Sequence, residues 1–126
     1  MGGKVILIVD DSSTLRASVE FTLSEAGYTV LQAEDGNTGL TVLKSYEGKE
    51  SELGMIITDI NMPNMDGISF IKEVKKTTFK FVPILVLTTE SQDSRKMEGK
   101  GAGASGWLVK PFKPEQLRGV VTKFLG

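Results

Sequence analysis

Two adjacent carboxylates, Asp10 and Asp11, directly follow the apolar run VILIV at 5–9. Neighbouring anions repel, and low-dielectric surroundings strengthen that repulsion, so something must hold them. A third carboxylate, Asp59, follows MIIT (55–58). Thr88 closes ILVLT (84–88), and Lys110 follows WLV (107–109). There is no histidine and no cysteine, which removes the usual general base, the commonest transition-metal ligand and any thiolate or disulfide chemistry. If the three carboxylates converge, they suit a hard, oxygen-seeking divalent cation. Mg²⁺ fits, because it commonly takes one or two carboxylates with waters and a phosphate. Lys110 is a mobile point charge suited to phosphate, and the Thr88 hydroxyl is a donor for a phosphoryl oxygen. Such a set is suited to placing a phosphoryl group on a carboxylate.

The elements that must position these groups alternate along the chain. VILIV is a β-branched apolar run, as expected of a strand buried on both faces. From Ser12 the period becomes helical through Leu15, Val19, Leu23 and Ala26, with Gly27 as the stop. YTVLQA (28–33) reads as a second strand. Leu40 and Leu43, flanked by Gly39 and Tyr46, suggest a second helix before a polar loop at 47–54. MIIT is the third strand, and Ile68, Ile71 and Val74 line a third helix. ILVLT is the fourth strand, followed by a weak helical segment, and WLV a short fifth. Leu117, Val120, Val121 and Phe124 form a last helix, with Pro114 in its first turn.

Five βα units in 126 residues predict a single domain of the α/β class. Its core is a doubly wound five-stranded parallel sheet with helices on both faces. Sites in such sheets lie at the carboxyl ends of the strands, where the strand order reverses. In the flavodoxin-like order 2-1-3-4-5, strands one and three are neighbours across that point. Asp10, Asp11 and Asp59 then meet, with Thr88 and Lys110 on the same edge.

Each residue also has a plainer reading. Asp11 alone would serve as a helix cap beside Ser12, and Asp59 as a strand-end turn residue. Thr88 would be a β-branched strand residue, Lys110 a solvated one, and Trp107 part of the core. Pro63, Asp66 and Gly67 are read as structural, a turn followed by a helix start. A cis peptide at Lys110-Pro111 is uncommon by base rate, about 5% of X–Pro bonds.

Taken together, Asp10-Asp11, the Asp59 of TDINMPNMDG (58–67), LTTES (87–91) and GASGWLVKPF (103–112) resemble a response-regulator receiver domain, nearest to single-domain chemotaxis (CheY-like) receivers. The resemblance covers essentially the whole chain, 1–126. It implies a signalling domain rather than a turnover enzyme, one that promotes its own phosphorylation and dephosphorylation. By resemblance, Asp59 is the phosphoacceptor. Asp11, Asp59 and the Asn61 backbone carbonyl ligate Mg²⁺, and Asp10 reaches it largely through water. Lys110 pairs with Asp59 and then with the phosphoryl group. Thr88 bonds that group and moves inward, with Trp107 following as the aromatic switch, and the Lys110-Pro111 peptide is cis. Two departures stand out: a longer loop at 44–54, and a tryptophan at 107 where tyrosine or phenylalanine is usual.

Fifteen basic and sixteen acidic residues, a net charge of −1, argue against a nucleic-acid footprint. No apolar run approaches membrane-spanning length and MGGK does not open a signal peptide, so a soluble, cytoplasmic protein is expected. A monomer is the expected state. With Gly126 straight after the last helix, output is expected through the domain's own surface. The partners are then a sensor histidine kinase or phosphotransfer protein upstream and a protein target, such as a flagellar-motor switch, downstream. The segment from Ser94 to Ala102, weakened by Gly99 and Gly101 with only Met97 as a large apolar anchor, is expected to belong to the switch face beside Trp107. Two rivals come from other classes. A phosphatase of the haloacid-dehalogenase type needs an Asp two positions after its nucleophile, where Asn61 stands. A flavodoxin-like binding protein needs a Ser/Thr/Gly-rich loop where DDSST puts two anions.

Overall fold

The structure is a computed structural model and describes residues 4–89, 98 and 100–125. Five strands, β1 (Val5–Val9), β2 (Thr29–Ala33), β3 (Leu53–Thr58), β4 (Ile84–Thr88) and β5 (Gly106–Val109), pair in parallel in the order β2-β1-β3-β4-β5. Between and after them lie helices α1 (Ser13–Glu25), α2 (Gly36–Ser45), α3 (Gly67–Val74) and α4 (Pro114–Leu125). Residues 98 and 100–102 are also helical. The rest of the expected switch segment, with Gly99 and Met97, lies outside the described residues, as do Glu90 and Ser91 of LTTES.

Two buried layers explain why the central strands are apolar without alternation. Leu7 and Val9 of β1, Ile56 of β3, and Ile84 and Val86 of β4 face one layer, where α2 and α3 supply Leu43, Ile68, Phe70, Ile71 and Val74. Ile6 and Ile8, Met55 and Ile57, and Leu85 and Leu87 face the other, against Val19 and Leu23 of α1 and Leu117 and Val121 of α4. Side chains alternate across a strand with period two, so a strand covered on both faces must be apolar at every position. Burying an aliphatic side chain of this size contributes roughly 1.5–3 kcal/mol.

Local chemistry sets the helix ends. Ser12, not Asp11, caps α1, its hydroxyl accepting from the Leu15 N–H at 3.2 Å. The capping reading of Asp11 is therefore replaced. Gly27 takes φ +97° after the helix, a conformation few other residues tolerate. The second helix starts at Gly36 rather than near Gly39, because the Asp35 carboxylate accepts from the Thr38 N–H at 2.8 Å. Gly39 is instead buried inside the helix, where a Cβ would stand 2.9 Å from Phe70. The strand at 28–33 begins at Thr29, the third at Leu53 rather than Met55, and the fifth at Gly106. The polar loop at 47–54 thus holds a short 3₁₀ turn, Glu50–Glu52, and the first two residues of β3. That loop leads into the amino end of β3, whose first residue, Leu53, is about 20 Å from Asp59 at roughly 3.3 Å per residue.

Gly67 begins α3 and is buried, and a Cβ on it would stand only 2.0 Å from the Asp59 carbonyl oxygen. The obstacle is backbone and cannot yield like a side-chain tip. Gly119, in α4, has nothing within 4 Å of a built Cβ. Gly67→Ala is therefore expected to destabilise by about 3 kcal/mol or more, lowering Tm by about 10 °C. Gly119→Ala should stabilise by up to about 1 kcal/mol. Thermal melts of the two variants check both signs, and equal melting temperatures would refute the packing argument.

Candidate functional site

The site grows out of the sheet's own hydrogen-bond ladders, which continue one residue past the strands. The Asp10 N–H donates to the Ala33 carbonyl at 3.1 Å, Asp59 N–H to Val9 at 3.0 Å, and Lys110 N–H to Thr88 at 2.8 Å. Backbone pairing therefore delivers Asp10, Asp59 and Lys110 to one edge independently of their side-chain contacts. There the Lys110 Nζ lies 3.0 Å from Asp10 Oδ2 and 3.2 Å from Asp59 Oδ2. Its side chain is only 18% exposed, which rules out the solvated-lysine reading. The free oxygens are occupied too: Asp10 Oδ1 accepts from Ser12 N–H at 2.9 Å and Asp59 Oδ1 from Ile60 N–H at 2.7 Å.

Asp10 is fully buried, Asp59 nearly so, and Asp11 exposed at the mouth. Carboxylate oxygens of the three lie within 4.8 Å of one another. Burial pushes the Asp10 carboxyl above the usual carboxylate range; the Ser12 N–H and Lys110 oppose the shift without cancelling it, and Asp59 adds repulsion. For Lys110, burial works against the charge, but the two carboxylates outweigh it and its pKa rises. The pair thus favours the lysine's charge while leaving the buried acid under-compensated. Two of the three carboxylates, Asp10 and Asp59, share the Lys110 ammonium, and the chain has no imidazole or thiolate. That is a donor set for a hard divalent cation, and Asp10, Asp11 and Asp59 fit Mg²⁺ on charge and ligand type.

Thr88 is fully buried at the end of β4. Trp107 is half-buried and packs against the α2/α3 layer, so its core reading holds in part. Because Trp107 pairs with Val86 and Val109 with Thr88, Trp107 and Thr88 lie on the same face of neighbouring strands. The Lys110-Pro111 peptide is cis. Asn61 is exposed two residues beyond Asp59. Pro63 sits in a tight turn closed by Met65 N–H on its carbonyl at 2.7 Å, and Asp66 caps α3 by accepting from Ser69 N–H at 2.7 Å.

Two supports were not legible in the sequence. Asn64, at φ +69°, donates from its amide to Asp35 Oδ2 at 2.9 Å, and the Met65 side chain lies over Gly36, so the loop after Asp59 is latched to the start of α2. The Thr38 N–H, then the Asn64 amide, hold the Asp35 carboxyl below its ordinary range. Arg16 of α1 donates to the Asp10 carbonyl oxygen. Its only sequence signal is a basic residue one turn beyond the Ser12 cap.

The raised pKa of Asp10 has a definite sign. A carboxyl that ionises less readily in the folded state favours folding below its unfolded pKa, and that contribution is lost as pH rises through the folded value. At pH 7, without divalent metal, the ionised acid therefore costs stability. Asp10→Asn should melt above the wild type there, and the gain should shrink as pH falls toward 4. A variant that melts lower at pH 7, or a gain independent of pH, would show that the ion pair with Lys110 outweighs burial.

Residues 6–122 match the family model described as response regulator receiver domain. The chain is 37% identical over 123 residues to the chemotaxis protein CheY1 of Helicobacter pylori, covering 96% of both sequences. The solved structure of the chemotaxis response regulator CheY4 of Vibrio cholerae is 44% identical with a TM-score of 0.85, over 98% of this chain and 99% of that one. The signal receiver domain of a signal transduction histidine kinase from Syntrophus aciditrophicus superposes equally well, with a TM-score of 0.85 at 27% identity, over 98% of this chain and 90% of that one. No helix among the described residues is long and apolar enough to cross a membrane. With its sheet order, its acidic edge and these relatives in agreement, the chain belongs to the response regulator receiver domain family.

Proposed function

We propose that the protein, as a single receiver domain over 1–126, accepts a phosphoryl group on Asp59 from a phosphohistidine. A carboxylate oxygen of Asp59 attacks phosphorus, an O–P bond forms as the N–P bond breaks, and the departing imidazole takes up a proton. The observation that carries this reading is the Lys110 ammonium at 3.2 Å from Asp59 Oδ2 and 3.0 Å from Asp10 Oδ2 inside a cluster of three carboxylates. Ile60 N–H holds Asp59 Oδ1, so Oδ2 is the oxygen on the lysine side. An incoming phosphoryl group adds negative charge to an anionic pocket, and Lys110 can exchange its bond with Asp59 for one to that group. Asp10, Asp11, Asp59 and the Asn61 carbonyl are the residues to hold Mg²⁺, which when bound neutralises charge on the phosphoryl oxygens. Asn61 stands where a hydrolase of related chemistry carries an acid–base carboxyl, and an amide cannot move that proton. Storage of the phosphoryl group therefore fits this site better than turnover.

The chemotaxis names of its relatives favour a signal carrier in chemotaxis. In this reading it is a cytoplasmic monomer, loaded by a sensor histidine kinase or phosphotransfer protein and read by a protein target of the flagellar-motor-switch type. Thr88 and Trp107 are the switch pair of this reading. A phosphoryl group on Asp59 draws the Thr88 hydroxyl inward, and Trp107, on the same sheet face, gains burial in the state so favoured.

Incubation with a small acyl phosphate donor and Mg²⁺, followed by intact mass and peptide mapping, should find one added phosphoryl group on Asp59. Asp59→Asn should abolish it, and labelling undiminished in that variant would sink the assignment. Trp107 is the single tryptophan. Its emission should change as phosphorylation proceeds and remain constant in Asp59→Asn; an unchanged spectrum on fully labelled protein would remove Trp107 from the switch.

A further inference from the structure

We infer that Arg16 is a positioning residue that sets the affinity of the acidic cluster for its divalent cation, by holding the peptide group between Asp10 and Asp11. The inference rests on the Mg²⁺ reading of that cluster. Arg16 lies in the second turn of α1, and helical side chains lean back toward the amino end, here toward the β1–α1 loop. A terminal guanidinium nitrogen, Nη1, donates to the Asp10 carbonyl oxygen. Its Nε donates to Gln32 Oε1 on β2 at 3.0 Å, and Gln32 Nε2 in turn donates to Glu20 Oε1 on α1 at 2.7 Å. The planar fork is therefore held by the Asp10 carbonyl and by Gln32 of a strand that neighbours β1, and Gln32 is itself held by Glu20 of the arginine's own helix.

The Asp10 carbonyl belongs to the peptide that leads into Asp11, so its direction governs where the Asp11 side chain starts. The same loop is held from the other side by Ser12 N–H on Asp10 Oδ1 at 2.9 Å. Asp11 is exposed, yet its carboxylate stays within 4.8 Å of those of Asp10 and Asp59 despite their like charge. Free rotation of this peptide would let repulsion swing Asp11 out into water. A bond to a charged donor restrains it.

Two effects of removing Arg16 oppose each other, and their signs differ. Loss of a positive charge near the cluster, taken alone, tightens cation binding. Loss of the restraint weakens it, because binding must then pay to order the loop and to gather the carboxylates. A bond to the carbonyl itself, directly behind a candidate ligand, makes the second effect the larger. Arg16→Ala should accordingly need about ten-fold more Mg²⁺ than the wild type for half of the metal-induced rise in Tm. Arg16→Lys should recover only part of this, since an ammonium cannot bridge the carbonyl and Gln32 with one planar fork. Gln32→Ala, at an exposed position of β2, should shift the midpoint about three-fold in the same direction. It decides the matter if Arg16→Ala does not fold. In phosphorylation with a small acyl phosphate, the deficit of Arg16→Ala should fall on the Mg²⁺ concentration required rather than on the rate at saturating metal.

A wild type whose Tm ignores Mg²⁺ beyond an ionic-strength control would overturn the metal reading and this inference with it. A wild type that responds, with Arg16→Ala and Gln32→Ala giving the same Mg²⁺ midpoint or a lower one, would overturn the positioning role alone. So would a lower metal-free Tm in Arg16→Ala with an unshifted midpoint, which marks a purely structural arginine.

Discussion

The Lys110 ammonium bridging two carboxylates of a cluster of three is the constraint around which this molecule is arranged. Lys110 sits 100 residues away in sequence from Asp10 and 51 from Asp59, yet reaches both within hydrogen-bond distance. That requires β1, β3 and β5 to finish on the same edge of the sheet, which parallel pairing in the order β2-β1-β3-β4-β5 provides. Burial of Asp10 raises its pKa even with Lys110 at hand, so the fold holds a charge it would hold more easily as a neutral acid. The rigidity to do so comes from the two apolar layers, since strands packed on both faces cannot shift to relieve repulsion at their ends.

The backbone around Asp59 is as constrained as its side chain. The start of α3 presses on the Asp59 carbonyl so closely that only glycine fits at 67, and Gly67 N–H donates to the Ile60 carbonyl at 2.8 Å. Asp66 caps the helix behind it, and Asn64 ties the intervening loop to Asp35. On the proposed phosphoacceptor reading, a carboxylate held in this way would need little reorganisation to act as a nucleophile. The opposite pole of the sheet is built differently. There the loop before β3 brings Glu50 and Ser51 beside Phe81 and Phe124 around an open groove of about 480 Å³, and Glu50 accepts from the Thr78 hydroxyl at 2.7 Å. That loop lies at the far end of the strands from the charges.

Much of the fold was legible because burial on both faces leaves an uninterrupted apolar run. VILIV and ILVLT match β1 and β4 residue for residue. The errors fall where a weaker signal competed. Leu53-Gly54 read as loop because glycine and the preceding charges masked a strand start. Apolar spacing places the start of the second helix near Gly39, because Asp35-Gly36 adds no apolar residue to the pattern, although the Asp35 carboxylate makes it a cap and first turn. Glycine is a poor helix former, and packing against Phe70 overrides that propensity at Gly39.

For the site, sequence alone determined the cast. Asp10, Asp11, Asp59, Thr88 and Lys110 each end a recognisable strand, and a parallel sheet sends such ends to one edge whatever its details. The absence of histidine and cysteine narrowed the chemistry to oxygen ligands in the same way. Only the tertiary structure decided which groups hold these residues in place: Arg16 on the Asp10 carbonyl, Asn64 on Asp35, and Gly67 against the Asp59 carbonyl. The reason is physical. Strand ends follow from periodicity, a local property of the chain. A bond from a side chain to a distant side chain or to a backbone carbonyl has no period of its own, and depends on the angle and distance at which packed elements meet.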